Sequence, residues 1–208
     1  MAKPKKNLPE IEPGETKLEI SEASLKDGFC NYKYSIINGN QRGFIHKVDG
    51  NGLFKESLQD AFAKLNVHLA VVDDVFKHSG IEIDDVDTLH VDELTLLFTV
   101  TGFKIKGGEE NESIILIGNK YLSGGSRMEL ESPKIAMDSL SSYKWYNELK
   151  TAADKAREEV LLYHNGNYDL PKGLDDDDVK PDSKQLKISD GSEKGETKID
   201  DDFDSAKQ

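Results

Sequence analysis

The spacing of apolar positions changes along the chain, and the spacing identifies the elements. "TKLEISEASL" (16–25) alternates, with Leu18, Ile20 and Ala23 or Leu25 as inward positions, and "KDG" supplies a turn. "FCNYKYSII" (29–37) places Tyr32, Tyr34 and Ile36 on one face at period two. "NGNQRG" carries turn chemistry before a third strand, "FIHKV" (44–48). From Leu53 the period lengthens: Phe54, Leu58, Ala61, Phe62, Leu65, Leu69, Val72 and Phe76 recur every three or four residues, which predicts an amphipathic helix. Gly80 in "HSG" is suited to end it, and "NVHLAVV" is good enough strand material to allow a break near Asn66.

"DELTLLFTVTGFKIKGGEENESIILIGNKYL" (92–122) predicts a hairpin, two β-rich runs around a polar loop from Gly107 to Ser113. "RMELESPKI" (127–135) adds a short strand that Pro133 confines to an edge or an end. A last helix is expected from "MDSLSS", capped by Asp138 or Ser139, through Trp145, Leu149, Ala152, Ala156, Val160 and Tyr163 to "NGN". Residues 1–14 hold three lysines and three prolines without periodicity and read as a mobile arm. Residues 169–208 have isolated apolar positions among charged and turn-forming ones, the signature of a disordered acidic tail. A single globular domain over 15–168 remains.

Three strands, a helix and two more strands is the element order of the OB-fold, whose second and third strands bind oligonucleotides. The expected fold class is α+β or mainly β: an antiparallel sheet, either an OB-like five-stranded barrel or another α+β arrangement, with two amphipathic helices and disordered termini.

Composition narrows the function. The chain of 208 residues has a net charge of −13. Residues 166–208 hold 13 acidic and 7 basic residues, and residues 1–165 hold 27 and 20, so the body is itself acidic by −7. That counts against a protein whose whole surface grips nucleic acid, but it leaves room for a local basic face. One cysteine, Cys30, excludes an internal disulfide framework. No apolar run approaches the roughly 20 residues of a spanning helix, and no apolar region follows the N-terminal lysines, so a soluble intracellular chain is expected.

Binding single strands needs aromatic faces for the bases and cations for the phosphates. Candidate residues are Tyr32, Lys33 and Tyr34 in "FCNYKY", Arg42, Phe44 and Lys47 in "RGFIHK", Lys104 and Lys106 in the hairpin, then Lys120 and Arg127. Against this, a Tyr32–Tyr34–Ile36 stripe is more often core than stacking platform. His68, Asp74 and His78 lie close in sequence, but no further ligand stands at metal-site spacing, and polar residues on the exposed side of an amphipathic helix explain them better. "DDDD" (175–178) lacks the glycine and distal glutamate of a calcium loop. Cys30 with His46 or His68 lacks any activating motif, and "SGGS" (123–126) lacks the lysine and helix start of a phosphate loop and reads as a turn. No cofactor, metal or enzymatic activity is expected.

The tail tip "IDDDF" behind such an element order resembles bacterial and phage single-stranded DNA-binding proteins, which join an OB-fold body to an acidic tail with a Phe at or near its tip. The resemblance implies that the tail recruits replication or recombination proteins and competes with DNA for a basic groove. Carried over, Phe203 is the anchor and Ile199, Asp200, Asp201 and Asp202 flank it. Five residues, "DSAKQ", follow Phe203, where the family usually buries a terminal carboxylate beside the aromatic. The body is broadly similar to uncharacterised proteins of phages infecting gut Bacteroidetes, through "LNVHLAVVDDVFKHSGIEIDDVD", "VTGFKIKGGEENESIILIG" and "SSYKWYNEL…AREEV". The implied function is a non-enzymatic phage protein that coats single-stranded DNA in the cytoplasm of a bacterial host. The alternative is a phage protein–protein interaction module, an inhibitor of a host factor or an assembly adaptor, which the acidic body favours.

Overall fold

The computed structural model describes residues 16–38, 41–108 and 111–170. The chain divides into Met1–Lys172 and Gly173–Gln208, and all described residues belong to the first unit. The arm at 1–14 lies outside the described residues, as does the tail beyond Leu170.

Alternation produces the first three strands as expected: β1 (Thr16–Lys26), β2 (Phe29–Asn38) and β3 (Gln41–Val48), joined as antiparallel neighbours. A two-residue strand, β4 (Leu53–Phe54), stands where the helix was expected to begin. The helical stretch then breaks into α1 (Glu56–Ala63), α2 (Asn66–Val72) and α3 (Val75–His78). Asp74 takes a left-handed conformation at φ 59°, which stops α2 from continuing into α3. Gly80 closes α3 at φ 71°, with Ile81 N donating back to Phe76 O at 2.9 Å.

Residues Asp87–Val91 form a 3-10 turn, and α4 (Glu93–Leu96) takes the first residues of the expected hairpin. Asp92 caps it, accepting from Leu94 N at 2.8 Å, so the strand begins only at Phe98. β5 (Phe98–Lys106) and β6 (Ser113–Tyr121) form the hairpin proper. β7 (Arg127–Glu131) is an edge strand, and β8 (Ile135–Ala136) resumes pairing with β6 beyond Pro133. Asp138 caps only a turn, at Leu140 N, and α5 (Tyr146–His164) starts later, at Trp145. A final strand, β9 (Tyr168–Asp169), pairs with β4 and had no sequence signal.

The protein is therefore α+β, with a nine-stranded antiparallel sheet in the order β7-β6-β5-β1-β2-β4-β9; β3 also borders β2 and β8 also borders β6. Among the described residues no pairing joins the two ends of this path. Of the two arrangements the sequence allows, this is the antiparallel α+β sheet rather than the five-stranded barrel. No described helix is long and apolar enough to cross a membrane.

The helices cover one face of the sheet. Phe62 of α1 packs on Phe103 of β5 with ring centroids 5.5 Å apart, and Ala152, Ala153 and Ala156 let α5 approach closely. Arg157 of α5 is mostly buried; it pairs with Glu112, reaches Asp154 at 3.1 Å and donates from Nε to Ile20 O at 3.4 Å. Burial opposes its charge, but the hydrogen bonds to Glu112 and Asp154 outweigh it and push the guanidinium pKa further up.

The "DGNG" segment before β4 is pinned by close contacts. Gly50 N donates to Asn31 Oδ1 at 3.0 Å, Tyr163 O–H donates to Gly52 O, and a Cβ on Gly52 would overlap the Tyr168 ring. Gly52→Ala should therefore lower stability by about 1 to 3 kcal/mol, the cost of overpacking a tight site. Gly124→Ala, where an added methyl meets nothing, should change the denaturation midpoint little. Chemical denaturation of both variants checks the contrast.

Candidate nucleic-acid interface

Directly opposed residues in an antiparallel sheet share a face, so the pairing sorts the candidates. Lys33 opposes Lys47 on β3 and Glu22 on β1, and Glu22 opposes Lys104 on β5. Lys47, Lys33, Glu22 and Lys104 thus form one row across four strands, spanning about 14 Å at the usual interstrand spacing. Lys106, two residues beyond Lys104, shares the face. This is the face away from the helices, because their neighbours Tyr32, Ala23 and Phe103 are the buried ones.

The row is counter-charged. Lys33 meets Glu22 at 2.8 Å, Lys47 meets Asp49 at 3.1 Å and Lys104 meets Glu131 at 3.1 Å. All three pairs are solvent-accessible, with lysine side chains 38%, 66% and 29% exposed, so each is worth at most about 1 kcal/mol and exchanges readily with another anion.

The tyrosines fall on the other face. Tyr32 is buried in the core, its hydroxyl 2.8 Å from His164 Nδ1 and its ring edge-on to Tyr163 at 6.2 Å. Burial pushes its pKa up. Tyr34 is half-buried and stacks on the exposed His46 at 5.0 Å and 18°, with His164 edge-on at 5.1 Å. "Tyr-Lys-Tyr" is therefore not one surface: the lysine and the two tyrosines are separated by the thickness of the sheet. Phe44 stands 89% exposed on β3 beside Ile45, 67% exposed, where one extra β3 residue bulges between the Ser35–Ile45 and Ile37–Arg42 pairs. For Arg42 the structure describes the backbone alone.

Lys120 and Arg127 do not join the row. Lys120 opposes the core residue Phe98, pairs with Asp73 at the end of α2 and lies 5.1 Å over the Phe98 ring. Arg127 is exposed on edge strand β7, opposite Tyr121. Ile199, Asp200, Asp201, Asp202 and Phe203 lie outside the described residues. Sequence reasoning missed His164, which completes the cluster with Tyr32 and Tyr34. Its spacing four after Val160, on the buried stripe of α5, was the available signal. It also missed the counter-charges Glu22, Asp49 and Glu131.

The remaining sequence features have structural roles. Burial pushes the Cys30 thiol up to about 12, which keeps it protonated and unreactive at neutral pH. "SGGS" is a turn closed by Gly125 N to Leu122 O at 2.9 Å. Among the described residues no group of three His, Cys, Asp or Glu side chains is placed to hold a metal. "DDDD" lies outside them.

His68 is 2% exposed and its Nδ1 lies 2.8 Å from the Tyr143 hydroxyl. It lines a cleft of about 690 Å³ with His90, Lys64, Asp87, Glu148 and Lys155. Burial, reinforced by nearby His90, holds its pKa down to about 4.

Compared with known proteins, no family model, curated protein or solved structure matches the chain.

The His68 environment generates a pH dependence. The folded state binds this proton only near pH 4, whereas the unfolded chain binds it near 6.5, so stability is lost as pH falls between these values. His68→Gln, which keeps a hydrogen-bonding partner for Tyr143, should lose about 2 kcal/mol less than the wild type between pH 7 and pH 5. Denaturant titrations at the two pH values measure the difference.

Proposed function

We propose that this chain binds single-stranded DNA without catalysis, through the helix-free face of its sheet. The observation that carries the reading is the row of Lys33, Lys47 and Lys104, which neighbouring strands bring to one open face under weak, exchangeable counter-charges. Phosphates replace Glu22, Asp49 and Glu131 as lysine partners, whereas Phe44, exposed but on the side of β3 that carries His46, has no part in this face. Tyr32 has no part in stacking, because it is core. The tail residues Ile199–Phe203 recruit replication or recombination proteins, and the setting is the cytoplasm of a phage-infected bacterium, as the resemblance of the tail and body implies.

One observation favours a second reading, a protein-interaction module without intrinsic DNA binding: each of the three lysines already has a carboxylate partner.

Fluorescence anisotropy of a labelled oligonucleotide across a salt series separates the two. Binding should weaken with salt, and Lys33→Ala and Lys104→Ala should each flatten the log–log slope by about 0.7, the value for one lost phosphate contact on a single strand. Phe44→Ala, on the opposite face of β3, should leave both the affinity and the slope nearly unchanged. Absence of salt-sensitive binding in the wild type overturns the DNA reading and leaves the module.

A further inference from the structure

The opposite side of the molecule carries charge of the other sign. From His78 to Phe103 the chain has no lysine or arginine, while Glu82, Asp84, Asp85, Asp87, Asp92 and Glu93 crowd positions 82–93. Among the described residues none of these six carboxylates is in an ion pair. Two of them serve the backbone: Asp85 accepts from Asp87 N at 3.0 Å, and Asp92 caps α4. Lys144 reaches this segment, but its Nζ donates to the Ile83 carbonyl at 3.4 Å rather than to a carboxylate.

Apolar side chains are exposed in the same place. Val91 is 82% exposed, Leu96 64%, and Ile81 and Leu97 are also exposed. Tyr121 N donates to Leu97 O at 2.8 Å, which sets the exposed Tyr121 and Leu122 of the β6–β7 turn against the end of α4. Single exposed leucines are ordinary; here Val91, Leu96 and Leu97 fall within positions 91–97, and the backbone bond from Tyr121 brings a strand end beside them. The 3-10 turn and α4 pack on α2, in the helix layer, so this surface lies across the sheet from Lys33, Lys47 and Lys104.

We propose that this ridge, Val91, Leu96 and Leu97 flanked by the unpaired carboxylates, docks a lysine- and arginine-rich amphipathic segment of another protein. Charge decides the occupant. A second copy of this chain would bring two acidic ridges together, and a nucleic acid or an anionic membrane would meet like charge; a basic amphipathic segment satisfies both the carboxylates and the leucines. The surface is independent of the DNA reading and of the tail, since it uses neither the lysine row nor any residue beyond 170.

The test uses the full chain and a synthetic peptide of leucine and lysine patterned as an amphipathic helix, with a serine–lysine peptide of equal charge as control. The leucine–lysine peptide should bind the wild type. Val91→Ser with Leu96→Ser should weaken binding at least about tenfold, and Glu82→Gln with Asp84→Asn and Asp87→Asn should weaken it similarly and flatten its salt dependence. All five positions are exposed, so melting temperatures should hold, and oligonucleotide binding should be untouched by either variant. Equal binding of the serine–lysine peptide, or unchanged affinity in both variants, overturns the proposal by assigning capture to charge elsewhere, the tail included. Sedimentation showing a dimer that Val91→Ser with Leu96→Ser dissociates also overturns it, because the ridge is then covered by a second copy. Failure of DNA binding with intact, variant-sensitive peptide binding leaves this surface standing alone.

Discussion

A strand can turn only every second residue toward a helix layer, and the fold depends on where that alternation is reset. β1 carries one extra residue at Ser21, between the Ile20–Tyr34 and Glu22–Lys33 pairs, and β5 carries one at Thr101, between the Val100–Gly118 and Gly102–Ile117 pairs. Ile20 and Ala23, three apart, can therefore both be buried, as can Val100 and Phe103. The two strands are neighbours whose paired residues, Glu22–Ser24 with Gly102–Lys104, lie between the two resets, and the apolar face stays continuous under α1, α2 and α5. Arg157 reads the β1 reset directly, donating to the Ile20 carbonyl while Glu112 holds its charge. The same resets align Glu22 with Lys33 and Lys104 on the outer face.

The strand run and the hairpin were legible because alternation and turn residues are local properties. The choice between Ala23 and Leu25 as an inward position stayed open because a bulge leaves no reliable sequence mark; Ala23 is the buried one and Leu25 is only partly so. The helical stretch was legible as apolar periodicity, and the break allowed near Asn66 is the one between α1 and α2, but the division at Asp74 was not, since Asp74 adopts a left-handed conformation that its residue type permits without demanding. β4 and β9 were hidden for a different reason. Two residues carry no period, and their pairing depends on Tyr168 packing over Gly52 and Tyr163 bonding to it from a helix more than a hundred positions away.

The candidate interface was half legible. Residue types alone collected lysines and aromatics that adjoin in sequence, and adjacency in a strand means opposite faces. The tyrosine stripe was correctly seen as a shared face and its packing role was weighed; what escaped was that this same fact removes Lys33 from its company. Net charge was a poor guide for a related reason. A body sum of −7 averages a neutralised lysine row and an uncompensated acidic ridge on opposite sides, and the arrangement matters for recognition more than the sum.

The placement of α5 bears on how the protein is made. Its residues 146–164 close over β1 and β2, and β9 after it completes the sheet edge that β4 begins. β1 and β2 thus wait for α5, more than a hundred residues later, before their apolar face is covered, and contacts of such sequence separation slow folding. A nascent chain halted before Tyr146 leaves the β1–β2 part of the sheet, with Tyr32, uncovered, a species prone to pair with its neighbours rather than fold as a smaller domain.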